Sequence, residues 1–595
     1  MFNNIIQFIW NKKYISLFIS LFIIVLTQRF LNERQNGLIN SVSSDGLGYY
    51  CYLPAAVIYQ DFSYDFYDKK ENNINPFYKP GFNEYKNQFY NKYYCGTAIC
   101  LLPFFLLGII ISAIAGTDIN GYTDTFLMLV SMASIIYYLL SVFMLSKIAK
   151  FFGISEKISF ITSLLFLFGT NYFHYLVQEP SMSHAYSFFA VTLFLYTYIK
   201  LLENVTNKKL IYLALALGLV ALIRPVNVVV VLFTPFFSES LKDYALFLKN
   251  IFTNHLKGLI GFISVVVATI CIQFIFYYLQ TGYFYIVSYN GEAFNFNNPE
   301  FFNVLFSYKK GLFLYVPLLL ATIIFVLITK KNWHKKIIFL ITFMVFLYIT
   351  SSWWCWYYGA GLSIRPFVDI LPLFIIITMF VYNQQSSVLK KIVMTLSVPF
   401  LFMSQLMAYQ YSNLILDIGE MNKEKYWDIF LETNLETINA KKIQRILSSH
   451  HIIKSETLTF EDDVIDNTIS NIGYNSKKSC VVGKNNCYSK GFCISLKELT
   501  IKETFYVIAE CYVKTSPEGK NLALAVSVNE KENCAEWFVV FRNQFDEGKD
   551  GWTKMTHVAE IKASFINDLR VIKIFGTTEK GENYIDNLKY TIVKK

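Results

Sequence analysis

The chain has 595 residues, of which 54% are hydrophobic and 18% aromatic, and its formal net charge is +10. Many of its apolar runs reach the roughly 17–25 residues that span a bilayer, which excludes an ordinary soluble protein. The lysines do not form one basic face. They fall in short clusters between apolar runs, a pattern that orients membrane helices and argues against a nucleic-acid partner.

The loops between the apolar runs predict the orientation of the chain in the membrane. Lys12 and Lys13 precede the first run, so the positive-inside rule predicts a cytoplasmic N-terminus. That run lacks a small-residue cleavage site, and we interpret it as a retained anchor. Alternation of lysine-containing loops then predicts about eleven transmembrane helices with the C-terminus outside. The predicted spans are 14–31, 124–146, 158–176, 184–202, 210–223, 226–240, 258–279, 311–329, 337–352, 366–382 and 392–410.

The polar segment 32–95 is predicted to be a large first external loop, where functional residues often lie. Residues 96–116 are apolar enough to span, but the next loop, 117–124, has no lysine or arginine. The rule therefore places that loop outside and makes 96–116 a re-entrant or interfacial segment. Pro103 in its middle favours a broken helix.

The pattern changes after the last predicted span. Residues 1–410 form the membrane domain, and residues 411–454 are predicted to be an amphipathic helical connector. From 455 to 595, short alternating segments separated by Gly, Asn and Asp clusters predict an external all-β sandwich. The predicted strands are 505–513, 522–528, 537–541, 569–575 and 588–593. Five of the ten cysteines lie in this tail, and in an oxidising compartment one or two disulfides are open to it.

The stretch 44–54 combines an acid, two glycines, three tyrosines and a proline just beyond the first span. Asp45 has two interpretations here. It could cap a surface helix, for which Asp is favoured. It could instead be a catalytic carboxylate at the membrane surface. The glycines would let the backbone turn or approach a ligand closely.

A second unusual stretch, 352–366, combines three tryptophans and two tyrosines with two glycines and an arginine. The aromatic residues suit an interfacial belt, but a belt does not need the glycines or Arg365. Arg365 could hold a phosphate in a bidentate manner. Asp369, one helical turn later, could instead pair with Arg365 and leave it structural.

The candidate ionisable residues all fall on the external side of the predicted topology. Such groups are costly near membrane level and are usually functional or paired. They are Asp45, Lys92, Glu179, His184, Arg224, Lys309, Lys310 and Arg365. Structural interpretations stay open: Lys309 or Lys310 could snorkel, His184 could make a local hydrogen bond, Glu179 could precede a Pro turn, and Arg224 could be a loop residue.

These residues and their order resemble the GT-C superfamily of glycosyltransferases that use polyprenyl-phosphate sugars, which includes protein mannosyltransferases and the lipid A aminoarabinose transferase. The resemblance covers about residues 1–410. It is carried by Asp45 in the first external loop and by four further motifs. These are Lys-Tyr-Tyr-Cys-Gly-Thr-Ala from Lys92, Pro-Ser-Met-Ser-His-Ala from Pro180, Tyr-Lys-Lys-Gly-Leu-Phe-Leu-Tyr-Val-Pro from Tyr308, and the Trp-rich Gly-Ala-Gly block that ends in Arg365-Pro366.

The resemblance implies inverting sugar transfer from a polyprenyl-phosphate donor to an extracytoplasmic protein, lipid or glycan acceptor, with Asp45 as the catalytic base. It assigns donor-phosphate binding to Lys92, Lys309, Lys310 and Arg365. It assigns substrate binding to Tyr49, Glu179, His184, Arg224 and Trp356. The family often has a second acid where this chain has Gly46, so a divalent metal ion stays open. The second carboxylate of the loop is open among Asp61, Asp65 and Glu84.

The implied setting is a bacterial inner membrane, with the β-domain in the periplasm. That domain resembles a carbohydrate-binding module, although a structural or acceptor-docking role is an alternative. For the whole chain, two other classes remain: a transporter or flippase of lipid-linked saccharides, and a non-catalytic scaffold that presents the β-domain. A transporter would favour inverted repeats and mid-span charges, and the sequence shows neither.

Overall fold

A computed structural model describes residues 12–35, 41–289, 291–413, 415–417, 419–464, 468–517, 519, 521–530, 533–578 and 580–595. The chain forms two compact units. The first comprises the described parts of Met1–Arg29, Ile39–Tyr411 and Ile418–Met421, and the second comprises those of Phe30–Leu38, Ser412–Asp417 and Asn422–Lys595.

The first unit is almost entirely helical. Its α-helices are α1 (Lys12–Gln35, whose last residues belong to the second unit), α2 (Asp45–Tyr50), α3 (Gly96–Ala115), α4 (Asp124–Phe151), α5 (Glu156–Phe168), α6 (Tyr172–Val177), α7 (Ser183–Glu203), α8 (Asn207–Ile223), α9 (Leu241–Asn254), α10 (Leu256–Thr281), α11 (Phe301–Phe306), α12 (Leu312–Tyr315), α13 (Pro317–Ile328), α14 (Trp333–Ser351), α15 (Leu371–Asn383) and α16 (Ser387–Ser412). Two 3₁₀ helices, Pro225–Phe237 and Arg365–Ile370, each begin next to or at an arginine. The small hairpin of β1 (Asn83–Tyr85) and β2 (Gln88–Tyr90) lies in the loop before α3.

Among the described residues, seven helices are long and apolar enough to cross a membrane. They are Gly96–Ala115, Asp124–Phe151, Ser183–Glu203, Leu256–Thr281, Trp333–Ser351, Arg365–Asn383 and Ser387–Ser412. The predicted count of about eleven spans is therefore not confirmed. Two of the predicted spans are interrupted: 158–176 breaks between α5 and α6, and 311–329 breaks before Pro317, which lacks the N–H that a continuing helix needs.

The prediction of a broken helix at residues 96–116 is wrong. Helix α3 runs without interruption from Gly96 to Ala115 with Pro103 inside it. Its length and composition would allow it to cross a membrane. Its assignment as a re-entrant or interfacial segment therefore stays a prediction.

The helical unit has one end that is rich in lysine. There Phe152, just after α4, packs against Phe236, and Lys335 in α14 donates to the carbonyl of Phe236 at 2.7 Å. Lys13 in α1 pairs at 3.1 Å with Glu156, the first residue of α5. We call this the lysine-rich end, and its lysines are Lys12, Lys13, Lys147, Lys150, Lys208, Lys209, Lys330, Lys331, Lys335, Lys336, Lys390 and Lys391.

The second unit begins with helices α17 (Lys423–Ile429) and α18 (Leu435–Ser449), each capped by an asparagine side chain. Its strands are β3 (His451–Leu458), β4 (Ile469–Ser470), β5 (Ser479–Gly483), β6 (Phe492–Ser495), β7 (Phe505–Thr515), β8 (Ala523–Glu530), β9 (Asn533–Phe541), β10 (Trp552–Ile561), β11 (Arg570–Thr577) and β12 (Glu582–Lys594), with a short helix α19 (Leu496–Leu499) after β6. Each of the five predicted segments coincides with a strand. Strand β3 begins inside the segment that was predicted to be connector.

These strands form two antiparallel sheets. One has the order β10-β7-β12-β5-β4, with β3 also paired to β12, and the other has the order β6-β11-β8-β9. Alternate residues of both sheets meet in one apolar core, for example Val507 of β7, Val526 of β8 and Ile585 of β12. All ten cysteines of the chain are described and free, so no disulfide of the tail is present.

Candidate active site

Asp45 is the first residue of helix α2, and its carboxylate turns away from the helix rather than capping it. The hydroxyl of Tyr93 donates to Oδ1 at 2.8 Å, and Nη2 of Arg365 pairs with Oδ2. The preceding Ser44 has a positive φ of 53° and makes no side-chain cap. The side chain of Asp45 is 28% exposed and that of Arg365 is 12% exposed, so the ion pair is largely shielded from water.

This setting keeps Asp45 ionised. Burial by itself would raise the pKa of Asp45, but the charge of Arg365 and the hydrogen bonds from Tyr93 and Arg365 hold the pKa below its usual range. Burial and the nearby Asp45 charge raise the pKa of Tyr93 far above its ordinary value. Tyr93 therefore stays protonated and donates to the carboxylate.

The two glycines near Asp45 permit close packing rather than a turn. A Cβ on Gly46 would overlap the side chain of Ser181, and a Cβ on Gly48 would overlap the ring of Tyr93. Neither glycine has a positive φ among the described backbone angles. Helix α2 can thus lie directly against the residues that hold its carboxylate.

The segment 352–366 brings Arg365 to Asp45 through a backbone that only particular residues tolerate. Positive φ angles occur at Tyr358, Gly359, Gly361 and Ser363. Two of these four positions are glycines, and their positive φ angles explain why this aromatic segment contains glycine. Nε of Arg365 is buried without a hydrogen-bond partner among the described residues.

Asp369 does not neutralise Arg365, and the alternative that paired these two residues is wrong. Its fully buried carboxylate instead accepts hydrogen bonds from Nδ1 of His184 at 2.8 Å and from Nδ2 of Asn227 at 3.0 Å. It also forms an ion pair with Nε of Arg224 at 3.1 Å. Asp369 therefore fixes Arg224, whose side chain is 20% exposed, at the start of a 3₁₀ helix.

Lys92 forms a third ion pair, with Oε1 of Glu292 at 2.7 Å. Its Nζ also lies 5.3 Å from the ring centroid of Tyr289. Both charged side chains are partly exposed, at 21% and 24%. Lys92 thus remains accessible to a ligand, which would bind Lys92 at the same time as Glu292 does.

A cavity of about 500 Å³ unites these groups. Its charged lining consists of Asp45, Lys92, Arg224, Glu292 and Arg365. Its aromatic lining consists of Tyr49, Tyr93, Tyr94, Tyr289, Phe294, Trp353, Trp354, Tyr357 and Tyr358. A mostly apolar cavity with a few convergent charges is the usual form of a small-molecule site. We call this end of the helical unit the cavity end.

The remaining predicted site residues lie behind the lining. His184 is fully buried on Asp369, and Nε2 of His174 pairs with Glu179 at 3.3 Å. Nζ of Lys309 lies 3.8 Å from the ring centroid of Tyr357, which lines the cavity. Trp356 packs edge-on against the same Tyr357 without lining the cavity itself.

Lys310 is buried behind the cavity wall, and its Nζ donates to the carbonyl of Gly359. Burial, followed by the charge of Arg365, lowers the pKa of Lys310 to about 7. Burial alone would raise the pKa of Glu179, but its bond to His174 and the charges of His174 and Arg365 hold it below its usual range. The predicted ionisable residues are therefore within electrostatic reach of one another.

None of the acids proposed as a second carboxylate lines the cavity. Asp61 accepts from the backbone N–H groups of Ser63 and Phe66 in a turn, Asp65 accepts from Ser63, and Glu84 is exposed on β1. The second acid of the cavity is Glu292. In the described part of the chain, no group of three or more His, Cys, Asp and Glu side chains could hold a metal ion, and Asp45 and Glu292 each already face a cation.

Sequence reasoning missed several lining residues, chiefly Tyr93, Tyr289, Glu292 and Trp353. Tyr93 lies within the quoted motif that begins at Lys92, so proximity in sequence could have indicated it. Glu292 and Tyr289 lie in the loop between α10 and α11, whose local sequence offered no separate signal.

No family model matches this chain, and the search of curated proteins gave no match. Among solved structures, the chain is similar to the arabinosyltransferase EmbB from Mycobacterium smegmatis, with a TM-score of 0.26 and 10% identity over 82% of this chain and 59% of that chain. It therefore spans less than two thirds of that protein's length. The chain is also similar to the CBM22-1 xylan-binding domain of Xyn10C from Paenibacillus barcinonensis, with a TM-score of 0.17 and 15% identity over 24% of this chain and 97% of that chain. TM-scores this low carry no argument about function, which must rest on the geometry of the site.

Proposed function

We propose that this protein is an integral membrane glycosyltransferase that transfers a sugar from a polyprenyl-phosphate donor to an acceptor hydroxyl group, with inversion at the anomeric carbon. The observation that supports the proposal most is the placement of Asp45. An ionised carboxylate lines an aromatic cavity beside two arginines and a lysine. Helix α8 runs from Lys208 and Lys209 at the lysine-rich end to Arg224 in this cavity, so the two features lie at opposite ends of the helix.

The charges of the cavity suit a lipid-phosphate leaving group. Lys92, Arg224 and Arg365 line the same space, and arginine binds phosphate oxygens in a planar, bidentate manner. All three are held in place before any ligand arrives, by Glu292, Asp369 and Asp45 respectively. Cations fixed in advance stabilise charge that develops on a leaving phosphate without further reorganisation.

The aromatic walls suit the sugar and the first part of the lipid. Tyr49 is 4% exposed and packs against Tyr93 with ring centroids 4.9 Å apart, so the region next to Asp45 is rigid. Trp354, by contrast, is 56% exposed at the rim. Apolar faces of sugar rings pack on such aromatic surfaces, and polyprenyl chains favour the same environment.

The transfer step balances with groups of this chain. The acceptor oxygen attacks the anomeric carbon while the bond from that carbon to the phosphate oxygen breaks, and its electron pair leaves on polyprenyl phosphate. The hydroxyl proton passes to Asp45. Protonation neutralises Asp45, which loosens its pair with Arg365 and makes the guanidinium available to the new phosphate charge.

The sidedness of the reaction follows from the positive-inside rule. Lysines cluster at the end of the helical unit opposite Asp45, and cytoplasmic loops carry the excess of lysine and arginine. The proposed reaction therefore takes place on the extracytoplasmic face of a bacterial inner membrane. A polyprenyl-phosphate sugar displayed on that face is the corresponding donor.

The test is Asp45→Asn in the full-length protein, expressed in cells in place of the unsubstituted protein. We expect sugar transfer to fall about 10²–10⁴-fold, the usual contribution of a general base. Activity is measured as loss of a radiolabelled polyprenyl-phosphate sugar from membranes of cells that express each variant. Accumulation of one such lipid together with loss of one envelope modification also identifies the donor and the acceptor.

The control variant is Asp68→Asn, because Asp68 is an exposed acid of the same loop whose partner is Lys79. It should retain full transfer. Thermal unfolding of both variants separates loss of chemistry from loss of fold, since Asp45→Asn also leaves Arg365 without its partner. Full transfer by a folded Asp45→Asn protein would show that the assignment of Asp45 is wrong.

A further inference from the structure

A second cavity, of about 460 Å³, lies on the outer face of the four-stranded sheet in the second unit. Its floor is a straight row across β6, β11, β8 and β9, formed by Cys493, Lys573, Ser527 and Trp537. Since side chains alternate along a strand, their neighbours such as Val526 point into the core. We call this cavity the outer cleft.

Large aromatic side chains are exposed on the walls of the outer cleft. Trp537 is 44% exposed and Tyr488 is 61% exposed. Each meets the ring of Phe575 edge-on, with centroids 5.6 Å apart. Phe575 thus fixes the two outer rings while leaving their faces open. Exposed aromatic surface gathered in one concavity, rather than scattered, usually marks a binding site.

The floor between these rings is polar. Ser527 is 1% exposed and donates to Oδ1 of Asn529 at 2.6 Å, so the amide nitrogen of Asn529 remains a donor toward the cleft. The lining contains one cation, Lys573, and no carboxylate. Lys573 makes no hydrogen bond or ion pair within the described residues.

We propose that the outer cleft binds a saccharide chain that carries an acidic group. The C–H faces of two sugar rings stack on Trp537 and Tyr488, hydroxyl groups accept from Asn529, and the acid pairs with Lys573. An acyl chain or an apolar peptide would fill the aromatic walls but would cover the buried Asn529 and the partly exposed Lys573 without offering them partners. Removing polar groups from water without a compensating hydrogen bond is costly. The charge of the cleft favours an anionic ligand over a neutral one.

The proposal is independent of the sugar-transfer reaction, because it concerns equilibrium binding. The full-length protein in lipid nanodiscs is applied to an array of neutral and acidic oligosaccharides that includes galacturonic acid hexamers. The strongest binder is then titrated by calorimetry. We expect acidic oligosaccharides to bind and their neutral counterparts to bind at least about tenfold more weakly, as loss of a charge-assisted hydrogen bond implies.

Two substitutions test the residues, each with a matched control. Trp537→Ala should weaken binding at least about tenfold, whereas Trp427→Ala, which removes a tryptophan that is 53% exposed in α17 of the same unit, should not. Lys573→Met should remove the preference for acidic over neutral chains, whereas Lys497→Met, at an exposed lysine of α19, should keep it.

The outcomes separate cleanly. Binding of acidic chains that both cleft variants weaken supports the proposal. Absence of binding by every acidic oligosaccharide, equal binding of neutral chains, or unchanged binding by a folded Trp537→Ala variant overturns it. Transfer activity measured on the same Trp537→Ala protein reports on the membrane site alone, so failure of one proposal is distinguishable from failure of the other.

Discussion

Asp45 is held between a phenol that donates to it and a guanidinium that neutralises it, and this arrangement sets its proton affinity. Arg365 is the main cause of the low pKa of Asp45, since burial acts in the opposite direction. Arg365 therefore has two proposed tasks: it keeps Asp45 ionised in the resting enzyme, and it binds the phosphate that leaves.

The first of these tasks makes a prediction about pH. In an Arg365→Gln variant, only the hydrogen bond from Tyr93 and the weaker effect of Lys92 still oppose burial. The pKa of Asp45 therefore rises, and the acid limb of kcat/KM moves to higher pH. In the unsubstituted protein that limb should lie below about pH 4, the ordinary value for Asp. A pH–rate profile of both proteins measures the shift. If the variant is less active at every pH but its acid limb does not move, then Arg365 does not control the pKa of Asp45. Phosphate binding would be its only remaining task.

Lys310 predicts a different pH dependence, in stability. Its pKa is lowered to about 7 in the folded protein, whereas an unfolded lysine titrates near about 10.4. Between these two pH values, the lysine is protonated in the unfolded chain but neutral in the folded protein. The free energy of unfolding therefore increases as the pH rises through this range. Below about pH 7 the folded protein carries the full cost of the buried charge.

Lys310→Met should therefore raise the Tm at pH 6.5 and lose this benefit by pH 9.5, relative to the unsubstituted protein. Thermal unfolding in one detergent across that range measures it. Lys309→Met is the neighbouring control, because Lys309 lies on the ring of Tyr357 and is only half-buried. Parallel stability curves for the Lys310→Met and unsubstituted proteins would contradict a lowered pKa.

At the scale of elements, the site depends on how closely α3 approaches the end of α8. A Cβ on Gly96 would overlap the backbone of Leu222 and Ile223, and Arg224 follows immediately. The Lys-Tyr-Tyr-Cys-Gly-Thr-Ala motif that begins at Lys92 therefore contains a glycine required for helix packing, Gly96, as well as a cation. The sequence could indicate the motif but not the helix that its glycine touches.

Gly96→Ala should destabilise the protein by about 1–3 kcal/mol, the usual cost of overpacking, and should lower transfer because Arg224 is displaced. The sign of this change in stability is diagnostic, because at an exposed helix position alanine stabilises the helix by about 1 kcal/mol relative to glycine. Chemical unfolding and activity are measured together. Gly81→Ala is the control, because nothing lies within 4 Å of a Cβ at that position.

For the whole molecule, the cavity end and the lysine-rich end predict opposite sides of the membrane. The exposed native cysteines are first replaced by serine, and single cysteines are then introduced at Gly81 near the cavity end and at Lys331 at the lysine-rich end. In intact spheroplasts, a membrane-impermeant maleimide should label Gly81→Cys and should reach Lys331→Cys only after lysis. The reverse pattern would invert the proposed topology.

Sidedness of the β-unit is testable with a native residue. Cys534 is exposed on β9 and free. In the proposed orientation, the same reagent labels the native protein in spheroplasts, and labelling decreases in Cys534→Ser. Protection of Cys534 until lysis would place the unit in the cytoplasm.

The sequence alone determined what depends on local pattern. Apolar runs predicted a membrane protein, and alternation predicted five strands of the tail, because side-chain periodicity follows directly from backbone geometry. The resemblance and the loop charges selected Asp45, Lys92, Arg224 and Arg365, which the structure brings to one cavity.

Only the tertiary structure decided which of these charges meet. Arg365 reaches Asp45, 320 positions away, instead of the nearby Asp369, because positive φ angles between Tyr358 and Ser363 turn the chain between the aromatic block and the arginine. Glu292 became the second acid of the cavity although nothing in its local sequence marked it. Pairing between distant residues depends on the packing of whole helices, and no local periodicity contains that information.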